Sequence, residues 1–194
     1  MNRTAVGLTR ASIILRWNPS LRWMAASSPA MTSLPTHERD YAMSLPQAAP
    51  DDIDPVKAWF RELAEHVRAV DFAAARHLFA EDFVAFGTFT DFMIGRELAE
   101  ENQWRNVWPT IDAFVWRLDG VKALVSPDRL FAVGLGVWDS TGYYPDGKPF
   151  DRKGRATVSF GRAKAGDPWV ATHTHMSLFR GTPDASHGNK PSKN

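Results

Sequence analysis

At 194 residues, 44% apolar and 23% charged, the chain has the composition of one soluble globular domain with room for a sizeable core. Its formal net charge of +1 argues against nucleic acid or an anionic membrane as partner, and no apolar run approaches the roughly 18 residues that span a bilayer. The absence of cysteine excludes disulfides, thiolate nucleophiles and thiolate metal sites.

Residues 1–50 read as an extension outside the fold, disordered or added by a start codon placed too far upstream. No acidic residue precedes Glu38, while Arg3, Arg10, Arg16 and Arg22 are spread among Ser, Thr and Ala, as in a transit peptide. Met31 and Met43 are alternative starts, and Pro35, Pro46 and Pro50 read as linker. The expected domain is 51–181, followed by a disordered tail, 182–194. A cytoplasmic location is expected, with the transit-like segment left open.

Asp54-Pro55 signals a helix start, an acidic cap followed by proline at the first helical position. Val56, Trp59, Phe60, Leu63, Val67 and Val70 then fall on one helical face. Asp71 is expected to cap a shorter helix, Phe72 to Ala80, making a helical hairpin with the first. Glu81 to Ile94 is aromatic and β-prone, broken at Gly87, with Asp91 inside it. A third helix is expected from Gly95 through Trp104 and Trp108, stopped by Pro109.

Beyond Pro109 the period shifts to two. Ala113 to Val125 and Arg129 to Thr141 read as strands, Tyr143 to Lys153 as a turn-rich loop, and Gly154 to Arg180 as a closing hairpin. Both faces of the Arg129 strand are apolar, so helices are expected on one and a partner subunit on the other. Gly134 and Gly136 are expected to leave space for a cavity beside Trp138. In the hairpin, Arg155, Thr157 and Ser159 share one face, and His173, His175 and Ser177 share another. Paired, these runs put an arginine, hydroxyls and two imidazoles on one surface, which is expected to turn inward and line a pocket. Val158, Phe160, Met176 and Leu178 take the opposite surface. The fold class is α+β, a curved antiparallel sheet wrapped over the helical hairpin and the third helix.

Trp169, His173, His175 and Ser177 spell W-x3-H-x-H-x-S, preceded by the R-x-T of Arg155 and Thr157. With the element order over Asp54 to Arg180, this resembles the SnoaL-like group of the nuclear transport factor 2-like superfamily, whose calcium/calmodulin-dependent protein kinase II association domains end in a similar motif. The resemblance implies a cone-shaped α+β barrel with a deep pocket, usually dimeric through the sheet. It also implies relatives such as ketosteroid isomerases, limonene epoxide hydrolases, scytalone dehydratases and polyketide cyclases. No position here is matched to the acid–base aspartate of the isomerases or cyclases.

His173 and His175 are candidate general bases, since imidazole titrates near a pKa of about 6.5; bonding to neighbouring strands or a partner subunit is the alternative. Asp91, if Phe89, Phe92 and Met93 bury it, becomes a second candidate acid or base; otherwise it is a loop aspartate facing water. Arg155 and Thr157 are candidates to hold a carboxylate or enolate oxygen, unless Arg155 pairs with Asp139 or Asp151. Trp104, Trp108 and Trp138 are candidate walls, or simply core. His-x-His alone offers zinc too few ligands, so no metal is expected. Without a G-x-G-x-x-G or Walker pattern no nucleotide cofactor is expected either. Two functions stay open: cofactor-free acid–base chemistry (isomerisation, dehydration or cyclisation) on a small apolar carbonyl compound, and a non-enzymatic module for ligand binding or oligomerisation. Either takes a small apolar or aromatic ligand in a homodimer or larger homo-oligomer.

Overall fold

In the computed structural model, which describes residues 48–87 and 91–188, the first element is helix α1, Pro50–Ala69. It starts upstream of Asp54-Pro55. Pro50 takes the first helical position and Asp51 and Asp52 favour the positive helix end, so Pro55 lies inside, at the loss of one backbone bond. The apolar stripe behaves as its spacing requires: Val56, Trp59, Phe60, Leu63 and Val67 are buried. Val70, in the left-handed conformation, ends the helix by donating its N–H to the carbonyls of His66 and Val67.

The second helix is shorter than its pattern. Asp71 accepts from the Ala74 N–H as expected, but α2 covers only Phe72–Ala75, tightens into a 3-10 turn (Arg76–Leu78), and gives way to strand β1, Phe79–Phe86. Phe79 leaves the helix to pack on Trp59, with ring centroids 5.5 Å apart. Strand β2, Phe92–Ile94, precedes the third helical segment, which is α3 (Arg96–Ala99), a π-helical turn (Glu100–Trp104), α4 (Arg105–Val107) and a 3-10 turn through Pro109.

The first long strand expected beyond Pro109 is two strands, β3 (Asp112–Trp116) and β4 (Lys122–Val125), separated by a 3-10 turn at Leu118–Gly120. Strand β5, Phe131–Tyr143, is the spine of the sheet: β3 and β4 pair along one edge, β7 (Gly154–Gly161) and the short β6 (Pro149–Asp151) along the other. The last strand, β8 (Val170–Leu178), pairs antiparallel with β7 and parallel with β1. The sheet therefore has eight strands in the path β2-β1-β8-β7-β5-β3, with β4 and β6 beside β5, and it is mixed where a wholly antiparallel sheet was expected. The parallel pair follows from connectivity, because β1 enters from the helices and β8 returns along the same edge. The fold class is that of the expectation, a curved α+β sheet over helices.

Even-numbered residues of β5 and β7 face α1. Ala132, Trp138, Ala156, Val158 and Phe160 are buried there, and Phe60 meets Trp116 at 4.7 Å between ring centroids. Gly134 and Gly136 do not border open space. A Cβ on Gly134 would come within 2.8 Å of Phe160 and 3.0 Å of Phe60, so these glycines admit core rings. Residues 182–188, assigned to a tail by sequence, return to the body: the His187 N–H donates to the Tyr143 carbonyl, and the Ser186 hydroxyl accepts from the Tyr143 N–H. Phe89 and residues 1–47 of the extension expected over 1–50 lie outside the described residues, while Pro50, read as linker, opens α1.

Candidate functional site

Where α1, the third helical segment and the inner face of the sheet diverge, they leave a cavity of about 60 Å³. Leu63 and Val67 form its α1 wall, Trp104, Val107 and Trp108 its helical roof, and Trp138, Thr174 and Met176 its sheet floor. The roof is set by the π turn. Its wider winding lets Trp104 stack on Trp108, centroids 5.2 Å and planes 14° apart, and Phe72 and Phe79 extend that wall.

Apart from the indoles, the polar lining side chains among the described residues are Gln103, Arg152 and Thr174. Arg152 lies between β6 and β7, its backbone fixed by two bonds to Ser140: its N–H donates to the Ser140 carbonyl at 2.8 Å and its carbonyl accepts from the Ser140 hydroxyl at 2.6 Å. It is 4% exposed, and among the described residues its Nε has no hydrogen-bond partner and no carboxylate pairs with the guanidinium. Burial pushes its pKa down from the ordinary arginine value, though guanidinium stays charged at any physiological pH. The indole N–H of Trp138, another lining residue, is likewise buried without a partner among the described residues. Gln103, Val107 and Arg152 also border an adjoining polar recess of about 200 Å³, which Asp184 and Ser186 of the returning C-terminal segment line as well.

The closing hairpin turns the other way from its expected orientation. Arg155, Thr157, His175 and Ser177 lie on the outer face of the sheet, around an open recess shared with Lys122 and Leu135. The cause is the hydrophobic effect: the alternate set, Val158, Phe160, Thr174 and Met176, is the one that meets helices and cavity. His173 donates from Nδ1 to the Val84 carbonyl at 2.9 Å, tying β8 to β1, and packs edge-on to Phe86. Arg155 donates to the Ser177 hydroxyl at 3.2 Å; Asp139 is held instead by Arg117, through two bonds of 2.8 Å, and Asp151 by Lys153. Asp91 is exposed, because Phe92 beside it is 63% exposed and gives it no apolar cover. Of the sequence candidates, Trp104, Trp108 and Trp138 stand at the cavity, while His173, His175, Asp91, Arg155 and Thr157 do not.

Glu100, a buried carboxylate in the π turn, is held by Arg76 at 2.8 Å and by Arg105. Both its oxygens are engaged away from the cavity. Among the described residues the lining thus presents neither an imidazole nor a carboxylate as a base.

Residues 56–180 match the SnoaL-like domain family. Comparison with curated protein sequences finds no match. Among solved structures, the chain is similar to a ketosteroid isomerase-like protein from Erwinia carotovora atroseptica, at 15% identity and a TM-score of 0.56, covering 68% of this chain and 98% of that one. It is similar to a nuclear transport factor 2-like superfamily protein from Salmonella enterica, at 16% identity and a TM-score of 0.55, covering 73% and 98%. The CaMKII hub of S. rosetta aligns at 15% identity and a TM-score of 0.54, covering 68% and 98%. At these identities the likeness is one of fold, and fold alone does not name a reaction. Among the described residues no helix is long and apolar enough to cross a membrane. With residues 56–180 matched, most of its length, the chain belongs to the SnoaL-like domain family.

Proposed function

We propose that this domain binds a small, flat, largely apolar compound carrying a carboxylate or similar anionic oxygen, with the apolar body between Trp104, Trp108 and Trp138 and the anion on Arg152. The observation that carries the reading is the buried Arg152 guanidinium without a counter-charge among the described residues, facing aromatic walls. A desolvated cation whose Nε donor lacks a partner among the described residues is costly alone and strongly favourable once an anion arrives, and a guanidinium fork suits the two oxygens of a carboxylate. The unpartnered Trp138 indole N–H adds a donor and no competing acceptor charge.

Ligand binding without turnover is favoured over proton transfer, because neither imidazole nor carboxylate lines the cavity among the described residues and Asp184 reaches only the outer recess. The test is calorimetric titration of the full chain with a panel of aromatic and arylalkyl carboxylates beside their uncharged primary amides. At least one carboxylate is expected to bind, its amide at least tenfold more weakly, and Arg152→Met is expected to erase the difference. Equal affinity for acid and amide, or a preference that survives in Arg152→Met, would overturn the assignment.

The outer face supports a second element of the reading, self-association through the sheet. Phe131, Leu135 and Val115 are 48%, 38% and 44% exposed on that face, a larger apolar display than a lone outer surface needs. The hub named above is a relative of the same fold, in keeping with a surface that meets a second copy.

A further inference from the structure

Beside the apolar stripe of α1, Glu62 and His66 stand one turn apart on the helix, and His77 reaches them from the 3-10 turn before β1. One ligand atom from each of the three lies within 4.8 Å of the others. Glu62 Oε1 is 2.8 Å from His77 Nε2 and 3.7 Å from His66 Nε2. Nδ1 of His77 is 2.7 Å from the Ala74 carbonyl oxygen. A carbonyl only accepts, so Nδ1 carries a proton and donates, which leaves Nε2 as the ring atom turned towards the carboxylate. Nε2 and the carboxylate oxygen stand at hydrogen-bond distance, a spacing at which either a second ring proton or a metal ion supplies the positive centre between them. His66 Nε2 is buried and has no hydrogen-bond partner among the described residues.

We propose that Glu62, His66 and His77 form a site for a transition-metal ion of the zinc type, with water completing the coordination. Two imidazoles and a carboxylate are the donor set of three-ligand zinc sites, and nitrogen donors select against calcium and magnesium. Ligand atoms around tetrahedral zinc stand roughly 3.3 Å apart, and the 2.8 and 3.7 Å separations bracket that spacing. The exposed His77 ring has the freedom to make the adjustment. The Ala74 carbonyl is the outer partner that orients a metal-bound histidine and fixes its tautomer. An ion here would clip α1 to the turn feeding β1, next to Leu63 and Val67 of the cavity wall. The site stands apart from the anion reading and does not depend on it.

The test is titration of the chelator-treated full chain with zinc chloride at mildly alkaline pH, followed by calorimetry and thermal unfolding, with cobalt substitution read by its visible bands. One equivalent of zinc is expected to bind and raise Tm, while calcium and magnesium leave Tm unchanged. His77→Ala and Glu62→Gln, with fold verified by circular dichroism, are each expected to weaken zinc at least tenfold. His66→Gln gives a second reading from the helix side, and His175→Ala is expected to bind as the parent does. Zinc binding weaker than about 1 mM, or equal binding by parent, His77→Ala and Glu62→Gln, would overturn the site, the latter by placing the ion elsewhere on the chain.

Discussion

A guanidinium kept from water without an acid beside it destabilises the protein that carries it, so Arg152 is a residue at which stability and binding oppose each other. Arg152→Met is expected to leave the unfolding free energy of the ligand-free protein unchanged or raised by about 1 kcal/mol, measured by urea denaturation. A loss of more than about 2 kcal/mol would show that the side chain is a structural strut. The residue was legible in principle. The inward phase of β7 runs Ala156, Val158, Phe160, and the same alternation carried back through Gly154 reaches Arg152. It was hidden by the turn-rich composition of Tyr143 to Lys153, which reads as loop where β6 in fact forms. His173 and His175 misled for the converse reason: alternation shows that two residues share a face, and only the distribution of apolar mass shows which face is the inner one.

Elements are joined by a part-buried ionic cluster that no periodicity announces. Asp52 in the first turn of α1 accepts two bonds of 2.8 Å from Arg129, before β5, and one of 3.0 Å from Arg162, after β7; Trp169 covers Arg162 at 3.8 Å from ring centroid to guanidinium carbon. The partners are 77 and 110 residues away, beyond any local pattern. The Arg129 hydrogen bonds, opposed by burial and aided by Arg162, hold the Asp52 pKa below the ordinary aspartate value. A depressed folded-state pKa gives stability that is full above the unfolded aspartate value, near 3.9, and is lost as pH falls through the folded one. Asp52→Ala is therefore expected to cost about 3 kcal/mol near neutrality, and Asp52→Asn to flatten the acid limb of the stability profile, both read by denaturant titration across pH. Strand β7 meets β5 so closely at Gly154 that a Cβ there would overlap the Trp138 ring. Gly154→Ala is expected to cost about 1–3 kcal/mol and to weaken carboxylate binding by pushing that ring into the cavity; an unchanged affinity would remove Trp138 from the binding wall. Short-range chemistry, such as the α1 stripe and the Asp71 cap, was readable from the chain. The π turn and the division of β3 from β4 were not, since both depend on how Trp104 and Trp116 seat against other elements.

The described residues form a curved sheet with one face filled by α1 and the aromatic roof, and the other presenting Phe131, Leu135, Arg155 and His175. Element order and fold class were readable because composition, period and turn residues agree along the chain. The sense of the β1–β8 pair was not, because strand direction depends on long connections. If copies associate through the outer face, Leu135→Arg is expected to reduce the sedimentation coefficient to that of a monomer without lowering Tm by more than a few degrees; a parent that sediments as a monomer contradicts self-association. Ligand binding depends above all on what Arg152 meets in the hollow between sheet and roof. The decisive measurement is the nitrogen–proton NMR spectrum of the full chain during titration with a bound aromatic carboxylate, following the side-chain Nε–H of Arg152 and the indole N–H of Trp138. Both resonances are expected to shift together with the binding isotherm and to stay still with the corresponding amide. Saturable binding that leaves the Arg152 Nε–H unmoved would contradict the account.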